Sequence, residues 1–194
     1  IMAIPLFAAL CAKYPRARIG VQARQPELFQ NNPYVHTINP RPVFWTDHVV
    51  DIRGEGRPLS RLAHWGKLLG VEVADRRPRL YFSDEEKQAI RAMASSRGNE
   101  TRIAVSTWTA WLSKRWSPEN FRRLCADISG RIPNARFLEM GKDCPFLGLG
   151  ENWIGRTGVR EAALILAGCR LFIGNDSGLI HLAAAAGTPS VGLF

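Results

Sequence analysis

The segment that decides the fold reads Leu171-Phe-Ile-Gly-Asn-Asp-Ser-Gly-Leu-Ile-His181 and continues Leu182-Ala-Ala-Ala-Ala-Gly-Thr-Pro-Ser-Val-Gly-Leu-Phe194. A short apolar run, typical of a buried strand, passes through a polar turn into an alanine-rich helix. Gly187 ends that helix before a second apolar run begins. The alternation of strand and helix predicts an α/β fold whose parallel sheet is covered by helices on both faces.

The same alternation extends upstream through the second half of the chain. Ser117, Pro118 and Glu119 indicate a helix start, because serine caps, proline suits the first turn and an acid complements the helix dipole. The predicted helices cover 84–96, a stretch beginning at 117–119, 159–168 and 178–186. The predicted strands cover 102–106, 135–140, 170–174 and 190–194.

The first half of the chain is richer in proline and has shorter predicted elements. Apolar residues at helical spacing after Pro5 predict a helix, with a buried stripe formed by Leu6, Phe7, Leu10, Cys11 and Tyr14. This apolar stretch is too short to span a bilayer and lacks the basic flank of a signal peptide. Strands are predicted over 17–22, 34–38 and 47–52, and a helix over 61–69 that Gly70 ends, with a buried stripe of Leu62, Trp65, Leu68 and Leu69.

Composition describes an ordinary globular chain with a strong basic balance. The 194 residues are 46% hydrophobic and carry a formal net charge of +9, which favours anionic partners. The basic residues are scattered, so no nucleic-acid arm is predicted. The four cysteines form no Cys-x-x-Cys pair, and neither clustered histidines nor an Asp-x-Asp pair offers a ligand set, so we predict a reduced protein without a metal.

The turn from 176 to 181 is the predicted ligand site, because ligands of open α/β sheets bind beyond the carboxyl ends of the strands. Gly178 would let a ligand approach the backbone, and the free amides and dipole of the helix start favour an anion such as phosphate. An alternative is purely structural. Asp176 or Ser177 would then only cap the helix, and His181 would be a hydrogen-bonded core residue.

Residues 175–194 as a whole resemble the signature of glycosyltransferase family 9, the heptosyltransferases. The similarity also covers Tyr14-Pro15, Asn32-Pro33-Tyr34-Val35, Leu69-Gly70-Val71 and Lys114-Arg-Trp-Ser-Pro-Glu-Asn-Phe121, in the expected order. The resemblance implies a GT-B-like α/β fold with two Rossmann-like domains whose parallel sheets face a cleft. Residues 1–88 would form the acceptor-side domain and residues 89–194 the nucleotide-sugar-binding domain, both incomplete.

The resemblance also implies a function. Members of the family invert the anomeric centre without a metal or other cofactor, and move heptose from ADP-heptose to the inner core of lipopolysaccharide. The implied partners are a nucleotide-sugar donor and an anionic glycolipid acceptor, met at the cytoplasmic face of the inner membrane. The family's acceptor-activating Asp precedes the proline that matches Pro5, which places the base upstream of Ile1 and predicts that this piece alone is inactive.

By match to the family motif, several positions are predicted to bind the donor. Those assigned to its diphosphate are Asp176, Ser177, Gly178, His181, Lys114, Ser106 and Thr107. Asp143 is assigned to the nucleotide ribose, and Glu139 and Glu151 remain alternatives. Without the family context, Lys114 would be a solvated surface charge and Asp143 an exposed acid beside Lys142.

Three other functions compete with this interpretation. The chain could be a non-catalytic nucleotide-sugar-binding module, or it could transfer a different sugar to a protein or capsule acceptor, since the motif binds diphosphate and does not read the sugar. A dehydrogenase is disfavoured because no Gly-x-Gly-x-x-Gly follows a strand. Acceptor specificity is expected in the loops near 39–60, through Trp45, Arg53, Arg57 and Arg61.

Overall fold

The computed structural model describes residues 1–39, 61–95 and 99–193. The chain divides into two compact units, Ile1–Tyr81 and Phe82–Phe194. The boundary predicted from the sequence, between residues 88 and 89, lies inside the helix Asp84–Ser95, which belongs wholly to the second unit. The predicted strand over 47–52 and the predicted specificity residues Trp45, Arg53 and Arg57 lie outside the described residues.

The helices within these ranges are α1 (Ile4–Lys13), α2 (Arg61–Leu68), α3 (Asp84–Ser95), α4 (Pro118–Arg131), α5 (Val159–Ala167) and α6 (Gly178–Ala186). The strands are β1 (Gly20–Val21), β2 (Thr37–Ile38), β3 (Thr101–Ser106), β4 (Ala135–Glu139), β5 (Glu151–Asn152), β6 (Leu171–Asn175) and β7 (Ser190–Leu193). Short 3-10 turns cover Pro26–Phe29 and Leu112–Lys114. The short strand β5 and both turns were not predicted from the sequence.

The first unit joins two helices to a short parallel strand pair. β1 and β2 pair in parallel, with Gly20 opposite Thr37. Its core cluster contains Ala3, Leu6, Trp65, Val71 and Val73. Two predicted core residues are instead at the surface: Tyr14 is 45% exposed and Leu68 is 60% exposed, because each lies at the last turn of its helix, past the packed face.

The second unit is built on a parallel sheet of five strands in the order β5-β4-β3-β6-β7. Side chains alternate between the faces of a strand, yet Ile103, Ala104, Val105 and Ser106 are all buried. Both faces of β3 are therefore covered. This confirms the predicted α/β class with parallel sheets.

Helices form the two covering layers of this sheet. α4 begins where predicted: the Ser117 hydroxyl accepts from the Asn120 amide at 3.2 Å, and Phe121 and Cys125 pack against β3 and β4. α3 contacts α5 and α5 contacts α6, so these three helices form the other layer. Arg160 ties α5 to α3 by donating to both carboxylate oxygens of Glu86, at 2.8 and 2.7 Å.

Candidate functional site

The adjacent carboxyl ends of β3 and β6 form the topological switch point of the second unit. Counted along the chain, its strands run 3-2-1-4-5 across the sheet, and the first and fourth, β3 and β6, are neighbours with Ser106 opposite Gly174. The connections that follow these two strands lead into helices of different layers. Ligands of doubly wound sheets bind in the crevice that opens at this point.

The sheet is unusually tight at the switch point. A Cβ atom added to Gly174 would lie 2.9 Å from the backbone oxygen of Ser106 and 3.0 Å from its Cβ. Only glycine therefore fits at this register. The close approach fixes where the two strand ends stand relative to each other.

An ion pair joins the segments that leave β3 and β6. The Lys114 ammonium, at the end of the turn Leu112–Lys114, donates to a carboxylate oxygen of Asp176. Their side chains are 42% and 21% exposed, so solvent weakens the pair and a competing anion can displace the carboxylate. The Thr109 hydroxyl adds a bond of 3.1 Å to the backbone oxygen of Asp176.

The start of α6 offers unpaired donors beside this ion pair. Ser177 holds the N-cap position but makes no side-chain capping bond, and its hydroxyl is buried without a hydrogen-bond partner among the described residues. A Cβ added to Gly178 would meet no atom within 4 Å. The first amides of a helix have no intrahelical acceptor, and the dipole is positive there, so the arrangement can hold an anion.

These observations bear on the structural alternative for the turn. Ser177 does not cap α6 through its side chain, and Asp176 is paired with Lys114. His181 is exposed on α6 and is not a core residue, contrary to that alternative. Lys114 is not a free surface charge either.

The other positions matched to the diphosphate lie at the end of β3. Ser106 and Thr107 are 2% and 7% exposed. The backbone oxygen of Thr107 accepts from the Asn175 side chain at 2.9 Å, which ties this strand end to β6. The structure thus brings Thr107, Lys114 and Asp176 to one edge of the sheet.

The candidate ribose residues follow β4 and lie apart from this ion pair in the hydrogen-bond pattern. Asp143 is exposed in a turn with φ of 50°. Glu139 is fully buried and accepts from the amides of Leu147 at 2.7 Å and Leu149 at 3.3 Å, so it shapes the loop after β4. Glu151 accepts from the Trp153 indole at 3.3 Å. No contact assigns a ribose role to any of the three.

Asn175 is a residue of the site that the sequence analysis missed. Its side chain is fully buried and bonds both Thr107 and the Trp116 amide, the latter at 3.0 Å. Arg115 supports the same loop, since its guanidinium lies 3.4 Å from the centre of the Trp108 ring and its Nε donates to the Thr109 oxygen at 2.8 Å. An amide at the end of an apolar strand was the available signal, because a buried polar group needs partners.

Two searches of the described residues complete the picture. Within 1–39, 61–95 and 99–193, no cluster of three or more His, Cys, Asp or Glu could hold a metal ion, and no helix in those ranges is long and apolar enough to cross a membrane. A shallow depression of about 380 Å³ lies between α4 and the loop 147–149. None of the predicted site residues lines it.

Known proteins resemble this chain in sequence and in fold. The family model for glycosyltransferase family 9 (heptosyltransferase) matches residues 57–194. Lipopolysaccharide heptosyltransferase 2 of Salmonella typhimurium is 42% identical over 44 residues, which cover 23% of this chain and 13% of that protein. The match therefore spans only a small part of that relative's length.

Solved structures of the family share the fold along nearly the whole chain. A family 9 glycosyltransferase of Veillonella parvula has a TM-score of 0.74 at 16% identity, over 98% of this chain and 75% of that one. ADP-heptose lipopolysaccharide heptosyltransferase II of Escherichia coli has a TM-score of 0.68 at 18% identity, over 98% and 80%.

A third neighbour differs in its metal content. TibC of enterotoxigenic Escherichia coli, an iron-containing dodecameric glycosyltransferase, has a TM-score of 0.70 at 17% identity over 98% of this chain and 55% of that one, and it has been solved with ADP-D-β-D-heptose. The iron belongs to that protein, and the metal-free character expected of this chain stays a prediction. The fold matches confirm the GT-B-like α/β class, and together with the family match they show that this chain belongs to glycosyltransferase family 9, the heptosyltransferase family.

Proposed function

We propose that the second unit holds the diphosphate of a nucleotide-sugar at the ends of β3 and β6, and that the protein transfers heptose from ADP-heptose to the lipopolysaccharide inner core. The observation that supports the site is the Lys114–Asp176 ion pair beside the N-terminus of α6, where the Ser177 hydroxyl lacks a partner. Family membership supports the reaction.

The residues of this site suit different parts of the donor. The amides of Ser177 and Gly178 point along a positive dipole, and Lys114 supplies a full charge, so these groups would contact the phosphates. Asp176 is itself negative. In the proposed complex it holds Lys114 in place and accepts hydrogen bonds from donor hydroxyl groups.

The hydroxyl groups of Ser106 and Thr107 complete the proposed phosphate contacts, and exposed His181 lies one turn into α6. Charge accumulates on the diphosphate as the bond to the sugar breaks, and fixed donors stabilise that charge without reorganising. The contribution of these residues to catalysis would therefore be leaving-group stabilisation. The base that activates the acceptor remains assigned upstream of Ile1, and the ribose role of Asp143 remains a prediction.

The acceptor is proposed to be an anionic glycolipid at the cytoplasmic face of the inner membrane. The net charge of +9 supports an acidic partner, because a basic surface attracts phosphorylated saccharides. Transfer is proposed to need no metal. Activity that survives thorough chelation would support this, and activity restored only by an added metal ion would contradict it.

The decisive experiment is a transfer assay with ADP-heptose and heptose-deficient inner core, using the protein with its complete reading frame. Replacing Lys114 by Ala should lower kcat/KM by roughly 10-fold to 100-fold, as expected for losing a charge-assisted contact. Asp176→Ala should act in the same direction. The control is Lys87→Ala, which removes an exposed ion pair with Asp84 on α3 and should change the rate less than about 2-fold.

Each alternative function gives a different result in this assay. Binding of ADP-heptose without transfer to any acceptor would indicate a non-catalytic module. Transfer from another nucleotide-sugar, or to a protein or capsule acceptor, would retain the donor site and change the specificity. If neither ADP nor ADP-heptose binds, the proposed site is wrong.

A further inference from the structure

The loop that carries Lys114 is held at both ends by one buried side chain. This loop, residues 107–116, joins β3 to α4 and is called here the lysine loop. Asn175, at the end of β6, donates to the Thr107 oxygen at 2.9 Å and accepts from the Trp116 amide at 3.0 Å. A side-chain amide has a donor and an acceptor, and Asn175 uses one for each end of the loop.

The middle of the lysine loop lacks comparable support. Trp111 and Leu112, which immediately precede the turn of Lys114, are 67% and 76% exposed. Little packing there would keep the lysine in place. The remaining fixed points are the Arg115 stack on Trp108 and the Thr109 bond to Asp176.

We propose that Asn175 is a positioning residue: by fixing both ends of the lysine loop, it places the Lys114 ammonium beside the first turn of α6. This inference rests on the proposed function, since it assumes that Lys114 binds the donor diphosphate. Asn175 directly precedes Asp176, the residue that Lys114 contacts. The end of β6 thus fixes the loop at its ends and the lysine at its tip.

Loss of the Asn175 side chain would leave two buried backbone groups without partners. Such groups seek other partners, so the loop ends would move. The lysine would then sample positions away from the site. The effect on ligand binding would act through Lys114, and this dependence can be measured.

A double-mutant cycle on the full chain, with ADP binding measured by calorimetry, tests the proposal. In the otherwise unchanged protein, Lys114→Ala should weaken ADP binding by roughly 10-fold to 100-fold, as for losing a hydrogen bond to a charged group. In the Asn175→Ala background, the same change should weaken binding by less than about 3-fold, because coupled residues are not additive. A purely structural role for Asn175 would leave the effect of Lys114→Ala unchanged.

A matched control is available at the other end of α6. Thr188, which is 5% exposed, donates from its hydroxyl to the Leu166 oxygen at 2.6 Å. Thr188→Val also removes a buried bond to the backbone, so it should lower the melting temperature while leaving the effect of Lys114→Ala at full size.

The possible outcomes separate the inference from the proposed function. If Lys114→Ala does not weaken ADP binding in the unchanged protein, the proposed diphosphate site fails. If it does, but the two changes are additive, the positioning role fails alone. If Asn175→Ala does not fold, Asn175→Ser repeats the cycle, and failure of both while Thr188→Val folds would make Asn175 a requirement of the fold and overturn the proposal.

Discussion

At the scale of single residues, Ser117 and Ser177 occupy the same N-cap position on α4 and α6 but differ in their hydrogen bonding. The Ser117 hydroxyl accepts from the Asn120 amide. The Ser177 hydroxyl makes no capping bond and is buried without a partner among the described residues. A buried hydroxyl that does not stabilise its own helix fits a group reserved for a ligand.

This contrast gives a prediction with an internal control. Ser117→Ala should lower the free energy of unfolding by about 1 kcal/mol, the usual cost of losing a cap. Ser177→Ala should change it by less than about 0.5 kcal/mol, yet weaken ADP binding. Urea denaturation and calorimetry measure the two effects. An equal loss of stability in both variants would mean that Ser177 serves the helix.

Gly178 and Gly158 form a second matched pair, at the starts of α6 and α5. An added Cβ meets no atom within 4 Å at either position, so Gly→Ala should leave both variants folded. Only Gly178→Ala should weaken ADP binding, because its methyl group would stand where the phosphate approaches the backbone. Calorimetric titration of both variants decides; equal affinities would remove the backbone from the proposed site.

Residues of the site differed in how far the sequence could predict them. Asp176, Ser177 and Lys114 stand in motifs that can be matched along the chain, and the structure brings them together. The role of Asn175 depends on Thr107 and Trp116, its partners across the sheet. Local sequence patterns do not report contacts of that kind.

At the scale of elements, the contact between β3 and β6 determines the geometry of the site. Gly174→Ala places a Cβ 2.9 Å from the Ser106 oxygen, so it should destabilise the second unit by about 1–3 kcal/mol. Gly130→Ala on α4, where the Cβ meets no atom within 4 Å, should stabilise by about 0.5–1 kcal/mol. Chemical denaturation of both variants checks the prediction, and an unchanged Gly174→Ala protein would refute it.

Most elements could be predicted because their signals are local. α4 and α6 begin and end where capping residues and glycine predict, and the strands of the second sheet are buried apolar runs. β5 is only two residues long and has no periodicity to detect. Leu68 and Tyr14 fit their helical patterns but lie at helix ends, where the neighbouring unit of structure decides burial.

At the scale of the whole molecule, buried thiols make stability depend on alkaline pH. Burial raises the pKa of Cys169 to about 11 from an ordinary value of 9.0, and that of Cys125 likewise to about 11. Between these values the unfolded thiols ionise while the folded ones stay protonated. Stability is therefore fully present below pH 9 and is lost as pH rises towards 11.

Cys169 alone should account for a loss on the order of 1–2 kcal/mol across that range, since one pKa unit corresponds to about 1.4 kcal/mol. Urea midpoints measured at pH 8 and pH 10.5 test this. The Cys169→Ala variant should lose less stability over the same interval than the unchanged protein. An identical loss in both would show that other groups control the alkaline transition.

The Asn175 bridge also has a consequence for synthesis on the ribosome. Thr107 and Asn175 are 68 residues apart in the chain, and at roughly 5–20 residues per second that distance takes about 3–14 seconds to translate. Throughout this interval the emerging lysine loop waits for the strand that will anchor it. Nucleotide recognition is thus among the last properties that a nascent chain acquires.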